Sequence, residues 1–284
     1  MSYVNLREML SQATQEKYAI GAFNIVDPMT TEAVIRASEE KQSPVIIQTS
    51  VKTVNLYGYI PLATTVKTLA EKSSVPVALH LDHCKDLDVI RHCIDAGWSS
   101  VMIDASSFPF EENVRMTKEA VKMASLHNVT VEGELGAIVG VEDDIHVKEQ
   151  DAHLADYEQA IDYVEATGVD LFAPAIGTAH GVYKGEPKIA FDLLKKIASA
   201  INVPIAIHGG TGLSDDVFQK VIRLGGAKVN ISTQLKHAFK DSLAEYFQTN
   251  PDIYEPVKIL TYMRDYVQDM TETFIDKFGS AGKA

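Results

Sequence analysis

The sequence predicts an α/β protein, a (β/α)8 barrel with an N-terminal helix and a C-terminal helical extension. Three observations carry this. Strand-like and helix-like stretches alternate at a spacing of about 25 to 35 residues, the rhythm of βα units on a parallel sheet. Eight strand-like runs can be counted. The first lacks the Gly-rich phosphate turn that an open doubly wound sheet would carry after it.

The elements follow in order. Asn5 to Gln15 is a short amphipathic start. Strands are expected at Tyr18 to Asn24, Pro44 to Ser50, Val75 to Asp82, Ser99 to Asp104, Val129 to Glu134, Leu171 to Ile176, Val203 to His208 and Ala227 to Ser232. Helices are expected between them at Pro28 to Glu40, Pro61 to Lys72, Asp86 to Ala96, Glu111 to Leu126, Ala155 to Ala166, Ile189 to Ala200, Asp215 to Leu224 and Gln234 to Gln248. A last helix, Val257 to Phe278, has no strand after it. The third strand is the most informative. Period two sends Val77, Leu79 and Leu81 one way and Ala78, His80 and Asp82 the other. A polar inner face suits a barrel lumen, and Asp82-His83 would then lie at the C-terminal mouth, where such barrels keep their chemistry.

A chain of 284 residues makes one large α/β domain or two small ones. No low-complexity tract or Pro/Gly/Ser linker interrupts it, which favours a single domain over 1–284. The net charge of -13 argues against nucleic acid and anionic membranes as partners. No basic-then-apolar leader and no run of membrane-spanning length is present, so a cytoplasmic location is expected. Cys84 and Cys93 are in neither a zinc nor a redox spacing and read as reduced thiols.

The strands end on Asn24, Ser50, Asp82, Asp104, Glu134, His208 and the pair Asn230 and Ser232. One polar end is ordinary rim exposure, but a nearly complete ring of them points to a shared site. His83, His180 and His208 all fall at this mouth, and three imidazoles with one position open are the arrangement of catalytic zinc. Zinc held by neutral imidazoles keeps its charge and can polarise a carbonyl and stabilise an enediolate, while a carboxylate such as Asp82 moves the proton. Asp104 and Glu134 are expected as outer groups or alternative ligands, and His80 as a core or supporting residue. The glycine-rich turn His208-Gly209-Gly210-Thr211-Gly212, with Asn230-Ile231-Ser232-Thr233 before a helix, places N–H groups where barrels bind phosphate. Two long loops, Gly136 to Leu154 and Gly177 to Lys188, are expected to act as lids or ligand contacts. Lys228 faces inward by parity, which leaves Schiff-base chemistry as an alternative, although it sits at the wrong end of its strand.

The motifs LHLDH (79–83), SVMIDAS (100–106), EGELG (132–136), GTAHGVY (177–183), HGGTGL (208–213) and NISTQLK (230–236) resemble the class II, zinc-dependent ketose-bisphosphate aldolases, closest to the tagatose-bisphosphate branch. The resemblance implies reversible cleavage of a ketose 1,6-bisphosphate to dihydroxyacetone phosphate and glyceraldehyde 3-phosphate, in a homodimer or homotetramer. It implies zinc on His83, His180 and His208, an alternative metal position at Glu134 and Asp104, and Asp82 as proton donor. Glu142 matches the residue that moves the proton of dihydroxyacetone phosphate. Gly181, Lys184, Gly209, Gly210, Thr211, Asn230, Ile231, Ser232 and Thr233 match positions that hold this triose, assisted by a monovalent cation (Na+ or K+), and Asn24 and Ser50 complete the expected substrate contacts.

Ser232 and Lys236 stand where fructose bisphosphate members usually carry aspartate and often arginine, which favours tagatose. Val257 stands where relatives carry an arginine for the second phosphate, and valine cannot bind one. A fructose bisphosphate enzyme, a ketose 1-phosphate enzyme with an unphosphorylated aldehyde half, and a non-catalytic accessory barrel remain as alternatives.

Overall fold

A computed structural model describes the chain except residues 1, 143, 144, 149, 151, 182, 184 and 186, together with the side chains of 141, 142, 145 and 146. In chain order the elements are α1 (Leu6–Glu16), β1 (Ile20–Asn24), α2 (Pro28–Glu40), β2 (Val45–Ser50), α3 (Val51–Tyr57), α4 (Tyr59–Ala70), β3 (Val77–Cys84), α5 (Leu87–Asp95), β4 (Ser100–Ile103), α6 (Phe110–Ser125) and β5 (Thr130–Leu135). There follow β6 (Val139–Glu142), β7 (Ile145–Val147), α7 (Tyr157–Thr167), β8 (Leu171–Pro174), β9 (Ala179–His180), α8 (Phe191–Ala200), β10 (Ile205–Ile207), α9 (Asp215–Arg223), β11 (Gly226–Ile231), α10 (Thr233–Thr249) and α11 (Pro256–Phe278).

Eight of the strands close into a barrel in the order β1-β11-β10-β8-β5-β4-β3-β2. Every pairing around it is parallel. All eight expected strands are present, and the predicted (β/α)8 architecture with its leading and trailing helices is the observed one.

Strand periodicity sorts the core into two layers. Val77, Leu79 and Leu81 join Phe23, Ile47, Val101 and Val229 in the layer between strands and helices. The opposite positions Ile20, Ala22, Ile46, Ala78, Leu171 and Ala173 fill the lower lumen, which α1 closes with Leu6, Met9, Leu10 and Ala13. The local signals are orthodox. Asp27 caps α2 in a reciprocal box with Thr30, with Pro28 at its first turn. Glu255 and Pro256 start α11, and Gly279 in the left-handed region ends it.

The structure adds to or shifts the expected elements in two places. The helix expected from Pro61 begins at Tyr59 and follows a separate helix, α3; Gly58, at φ +83°, separates the two. Pro61 sits in the first turn of α4, where a missing N–H costs no helical bond, so it marked a start two residues late. The loops after β5 and β8 are also not plain loops. They carry a second sheet in the order β7-β6-β9, with Gly140 of β6 opposite His180 of β9. Gly140 has φ +121°, and a Cβ there would lie 2.2 Å from the His180 carbonyl oxygen, so only glycine permits this pairing. Among the described residues, no helix is long and apolar enough to cross a membrane.

Candidate metal centre and active site

His83 shows how the mouth is built. Strict alternation would turn it outward beside Leu81. Instead it adopts φ +46°, and the β3–β4 register shifts between Leu81 and Cys84. Such an irregularity re-aims a side chain, so the consecutive residues Asp82 and His83 both serve the mouth. β9 brings in His180 and the end of β10 brings in His208, and ligand atoms of the three imidazoles all lie within 4.8 Å of one another. His83 Nε2 and His208 Nδ1 face each other at 2.9 Å.

His83 also belongs to a second group with Asp104 and Glu134. Its Nδ1 is 3.0 Å from Asp104 Oδ2 and 4.0 Å from Glu134 Oε2. Burial pushes the Asp104 carboxyl up, but the hydrogen bond and charge of His83 override it and hold this group below the usual carboxylate range. Burial and the neighbouring Asp104 push Glu134 well above that range. Glu134 Oε2 is buried without a hydrogen-bond partner, 3.5 Å from His208 Nδ1. Converging imidazole lone pairs and an unsatisfied carboxylate oxygen are a donor set that fits a divalent cation with mixed N/O preference, zinc among them.

Asp82, 1% exposed, sits beside this set. Asn24 Nδ2 donates to its Oδ2 at 2.9 Å and Asn230 Nδ2 to its Oδ1 at 3.3 Å. Gln48 Nε2 in turn donates to Asn24 Oδ1 at 2.8 Å. Ser50 closes β2 in register with Asp82.

The glycine-rich side is equally constrained. Gly209 lies at φ +68°, with a Cβ position 2.4 Å from the Ala179 carbonyl oxygen, and Gly210 backs onto the Asn230 carbonyl oxygen. Thr211 Oγ1 accepts from the Gln234 amide in the first turn of α10. Ser232 stands at the N-cap of α10 without making a cap bond, and its buried Oγ has no partner, like Thr178 Oγ1. Thr233 opens that helix, and Gly181, at φ +83°, follows His180. Ile231 packs its side chain into the outer core layer, so it offers this end of the barrel main chain only. Lys184 lies outside the described residues. So does the side chain of Glu142, whose main chain ends β6.

Sequence reading passed over Glu132 and Tyr183, and with Glu132 the partner of Lys228. Glu132, fully buried, bonds His208 Nε2 through Oε1 at 2.6 Å and pairs with Lys228 Nζ through Oε2 at 2.9 Å. Burial raises this carboxyl, but Lys228 and His208 together hold it well below the usual range. Lys228 is therefore committed to an ion pair, which removes the Schiff-base alternative its inward parity had raised. Tyr183 hydroxyl accepts from the Ala179 amide and donates to the Gly209 carbonyl, tying the His180 loop to the glycine turn. The polar parity of Glu132 and Lys228 was readable from the sequence; their pairing across the lumen was not.

A closed parallel barrel with a candidate metal centre and a glycine-rich turn beside a helix start at the same mouth is the framework of an enzyme active site. The chain belongs to the class II fructose-bisphosphate aldolase family, whose model matches residues 4–283. It is accordingly an aldolase, a carbon–carbon lyase of carbohydrate metabolism. It is 42% identical to a fructose-bisphosphate aldolase of Geobacillus stearothermophilus, covering 100% of this chain and 99% of the relative. It is 40% identical to a 6-phospho-5-dehydro-2-deoxy-D-gluconate aldolase of Bacillus licheniformis, covering 100% and 97%. The crystal structure of the YdjI aldolase from Escherichia coli K12 superposes with a TM-score of 0.89 at 35% identity, covering 99% of each chain.

Proposed function

We propose that the protein is a zinc-dependent aldolase that reversibly cleaves a ketose 1,6-bisphosphate, tagatose type favoured, to dihydroxyacetone phosphate and glyceraldehyde 3-phosphate. The observation that carries this is the meeting of His83, His180 and His208 next to an Asp82 carboxylate held between two amides. The three imidazoles would hold the ion, with Asp104 and Glu134 as its alternative position around His83. Bound there, Zn2+ would supply a Lewis acid that polarises a carbonyl and stabilises the negative charge left by C–C cleavage.

The chain's own residues do the rest. In cleavage Asp82 takes the proton from the C4 hydroxyl, and in condensation it returns that proton to the aldehyde oxygen. Glu142 moves the C–H proton of dihydroxyacetone phosphate. The phosphate rests on the main-chain N–H groups of Gly209 to Thr211 and the start of α10, where Asn230, Ser232 and Thr233 gather. Gly181 holds the triose, a role the resemblance also gives Lys184, Ile231 contributes main chain, and Asn24 and Ser50 face it from the first two strands. The unpaired hydroxyls of Thr178 and Ser232 suit a monovalent cation, Na+ or K+, beside the phosphate. This helix-start site makes the local exception that an anionic substrate needs in a chain of charge -13.

Fructose 1,6-bisphosphate is the second reading, favoured by the 42% identical relative of that name. The aldehyde end decides further. Val257 is 69% exposed; of the two candidate replacements for the missing arginine, Arg264 is engaged by Glu32 and Asp265, and Lys258 is exposed beside Val257 in the first turn of α11. An unphosphorylated aldehyde half would need no anchor there, which keeps the ketose 1-phosphate alternative beside the bisphosphate. We place the enzyme in the cytoplasm as a single-domain homodimer or homotetramer, the exposed Val257 and Leu260 of α11, with Tyr254 just before it, offering an apolar patch for a second copy.

The test compares cleavage rates for tagatose 1,6-bisphosphate, fructose 1,6-bisphosphate and a longer ketose 1-phosphate, with and without a chelator and borohydride. Chelator-sensitive turnover, fastest on tagatose bisphosphate, is expected. Borohydride trapping or chelator-resistant turnover would sink the zinc mechanism, and a faster monophosphate would show that Val257 marks a changed aldehyde site.

A further inference from the structure

Beneath the site runs a buried polar chain that no reacting atom would touch. Lys228 Nζ is 2.7 Å from Asn230 Oδ1 and 2.9 Å from Glu132 Oε2, and all three side chains are buried. An ammonium has only donors. It therefore bonds the oxygen of the Asn230 amide, which turns Nδ2 toward Asp82 Oδ1 at 3.3 Å. It likewise fixes Glu132 as an acceptor, so Glu132 Oε1, 2.6 Å from His208 Nε2, takes the imidazole N–H. That leaves the lone pair of His208 on Nδ1, the atom that faces His83 Nε2 and Glu134.

His80 does not compete for this role. Ser100 Oγ lies 3.3 Å from the Thr130 carbonyl oxygen, to which it donates, and so accepts from His80 Nδ1 at 2.7 Å. His80 Nε2 makes no hydrogen bond, although it lies 3.4 Å from Glu132 Oε2. Lys228 supplies the ammonium that pairs with Glu132 in this network.

We infer that the Lys228–Glu132 ion pair is a positioning device that sets two functional groups at once: through Glu132 the tautomer of His208, and through Asn230 the orientation of the Asp82 carboxylate. A buried pair is a weak contributor to net stability beside apolar residues of the same shape, but losing one partner strands a charge. Specification of the site is therefore what the pair supplies. The inference rests on the reading of His208 as a metal ligand and deepens it.

Two charge-neutral double variants separate the two arms. Glu132→Gln with Lys228→Met keeps a carbonyl acceptor for His208 but removes the donor that orients Asn230. Zn2+ affinity, measured by competition with a chromophoric chelator, should stay within about threefold of wild type while kcat falls about tenfold, since misplacing a reacting group by an ångström is enough for such a loss. Glu132→Leu with Lys228→Met removes the acceptor too, and Zn2+ affinity should fall about 10- to 100-fold, the usual cost of losing a ligand's hydrogen-bond partner. Native Zn2+ affinity in the leucine variant overturns the tautomer arm, and native kcat in the glutamine variant overturns the amide arm. If neither variant folds, nitrogen-15 histidine spectra of the zinc-loaded wild-type protein decide. His208 must carry its proton on Nε2, and a proton on Nδ1 overturns the inference. Wild-type protein that takes up no Zn2+ would instead overturn the metal reading, and this inference with it.

Discussion

The lower and upper halves of the barrel lumen are equally buried and chemically opposite. Below, Ile20, Ala22, Ile46, Ala78, Leu171, Ala173 and Ala206 meet the apolar face of α1. One or two inward steps further along the same strands stand Asn24, Gln48, His80, Asp82 and His208, each no more than 2% exposed. Rim exposure therefore does not explain the polar residues. Burying polar groups costs free energy unless each finds a partner. The upper half meets that cost with a nearly continuous hydrogen-bonded network, and leaves atoms such as Glu134 Oε2, Ser232 Oγ and Thr178 Oγ1 for ligands. We propose that the lower half stabilises the barrel while the upper half holds the chemistry.

If that division is right, changes above should remove function with little loss of fold. The largest effect belongs to His208→Ala, which should abolish stoichiometric zinc and lower kcat/KM by more than about 10⁴-fold, beyond what acid–base catalysis alone supplies. Next comes Asp82→Ala, for which zinc content should stay stoichiometric while cleavage falls about 10²- to 10⁴-fold. Metal analysis beside steady-state kinetics reads both. Zinc lost from the Asp82 variant, or full activity in either, would collapse the separation of roles within the upper half.

A change below should do the reverse. Leu10, 1% exposed on α1, plugs the lower lumen. Leu10→Ala should destabilise the protein by about 2–5 kcal/mol through lost burial and a residual cavity. Denaturant midpoints would show this, while kcat per folded, zinc-loaded molecule should stay within twofold or so of wild type, because the plug touches none of the polar network. A tenfold fall in kcat would mean that the two halves are mechanically coupled.

How much of this was legible follows from which interactions are periodic. Alternation in the third strand placed Ala78, His80 and Asp82 inside and Leu79 and Leu81 outside, and the same parity found most of the mouth, because a two-residue repeat and a βα rhythm are local properties. His83 reached the mouth for a reason that alternation does not contain, namely a left-handed backbone at φ +46°. Its Asp-His spacing pointed the right way, while strict parity would have turned it outward. The Lys228–Glu132 pair joins residues 96 positions apart in sequence, across the lumen from β11 to β5, and depends on closure of the barrel. The small sheet of β6, β7 and β9 was hidden because β9 has two residues and pairs with a glycine-bearing strand from another loop, so neither segment carries a strand pattern of its own.

That small sheet gives the finest test of where the upper half ends. Gly140 belongs to neither the lumen nor the proposed ligand set, yet its missing side chain lets β6 lie against the main chain of His180. Gly140→Ala must relieve both a φ of +121° and a 2.2 Å approach to the His180 carbonyl oxygen, a local strain of about 1–3 kcal/mol. The barrel strands do not include β6 or β9, so the global unfolding midpoint should barely move. The strain should appear instead as displacement of β9, weakening Zn2+ binding by roughly three- to tenfold, less than a direct ligand change. A competition titration against the wild-type protein measures that shift. Unchanged affinity would show that His180 is held by the barrel and by the Tyr183 bridge to Gly209, and that the second sheet serves substrate closure rather than the metal.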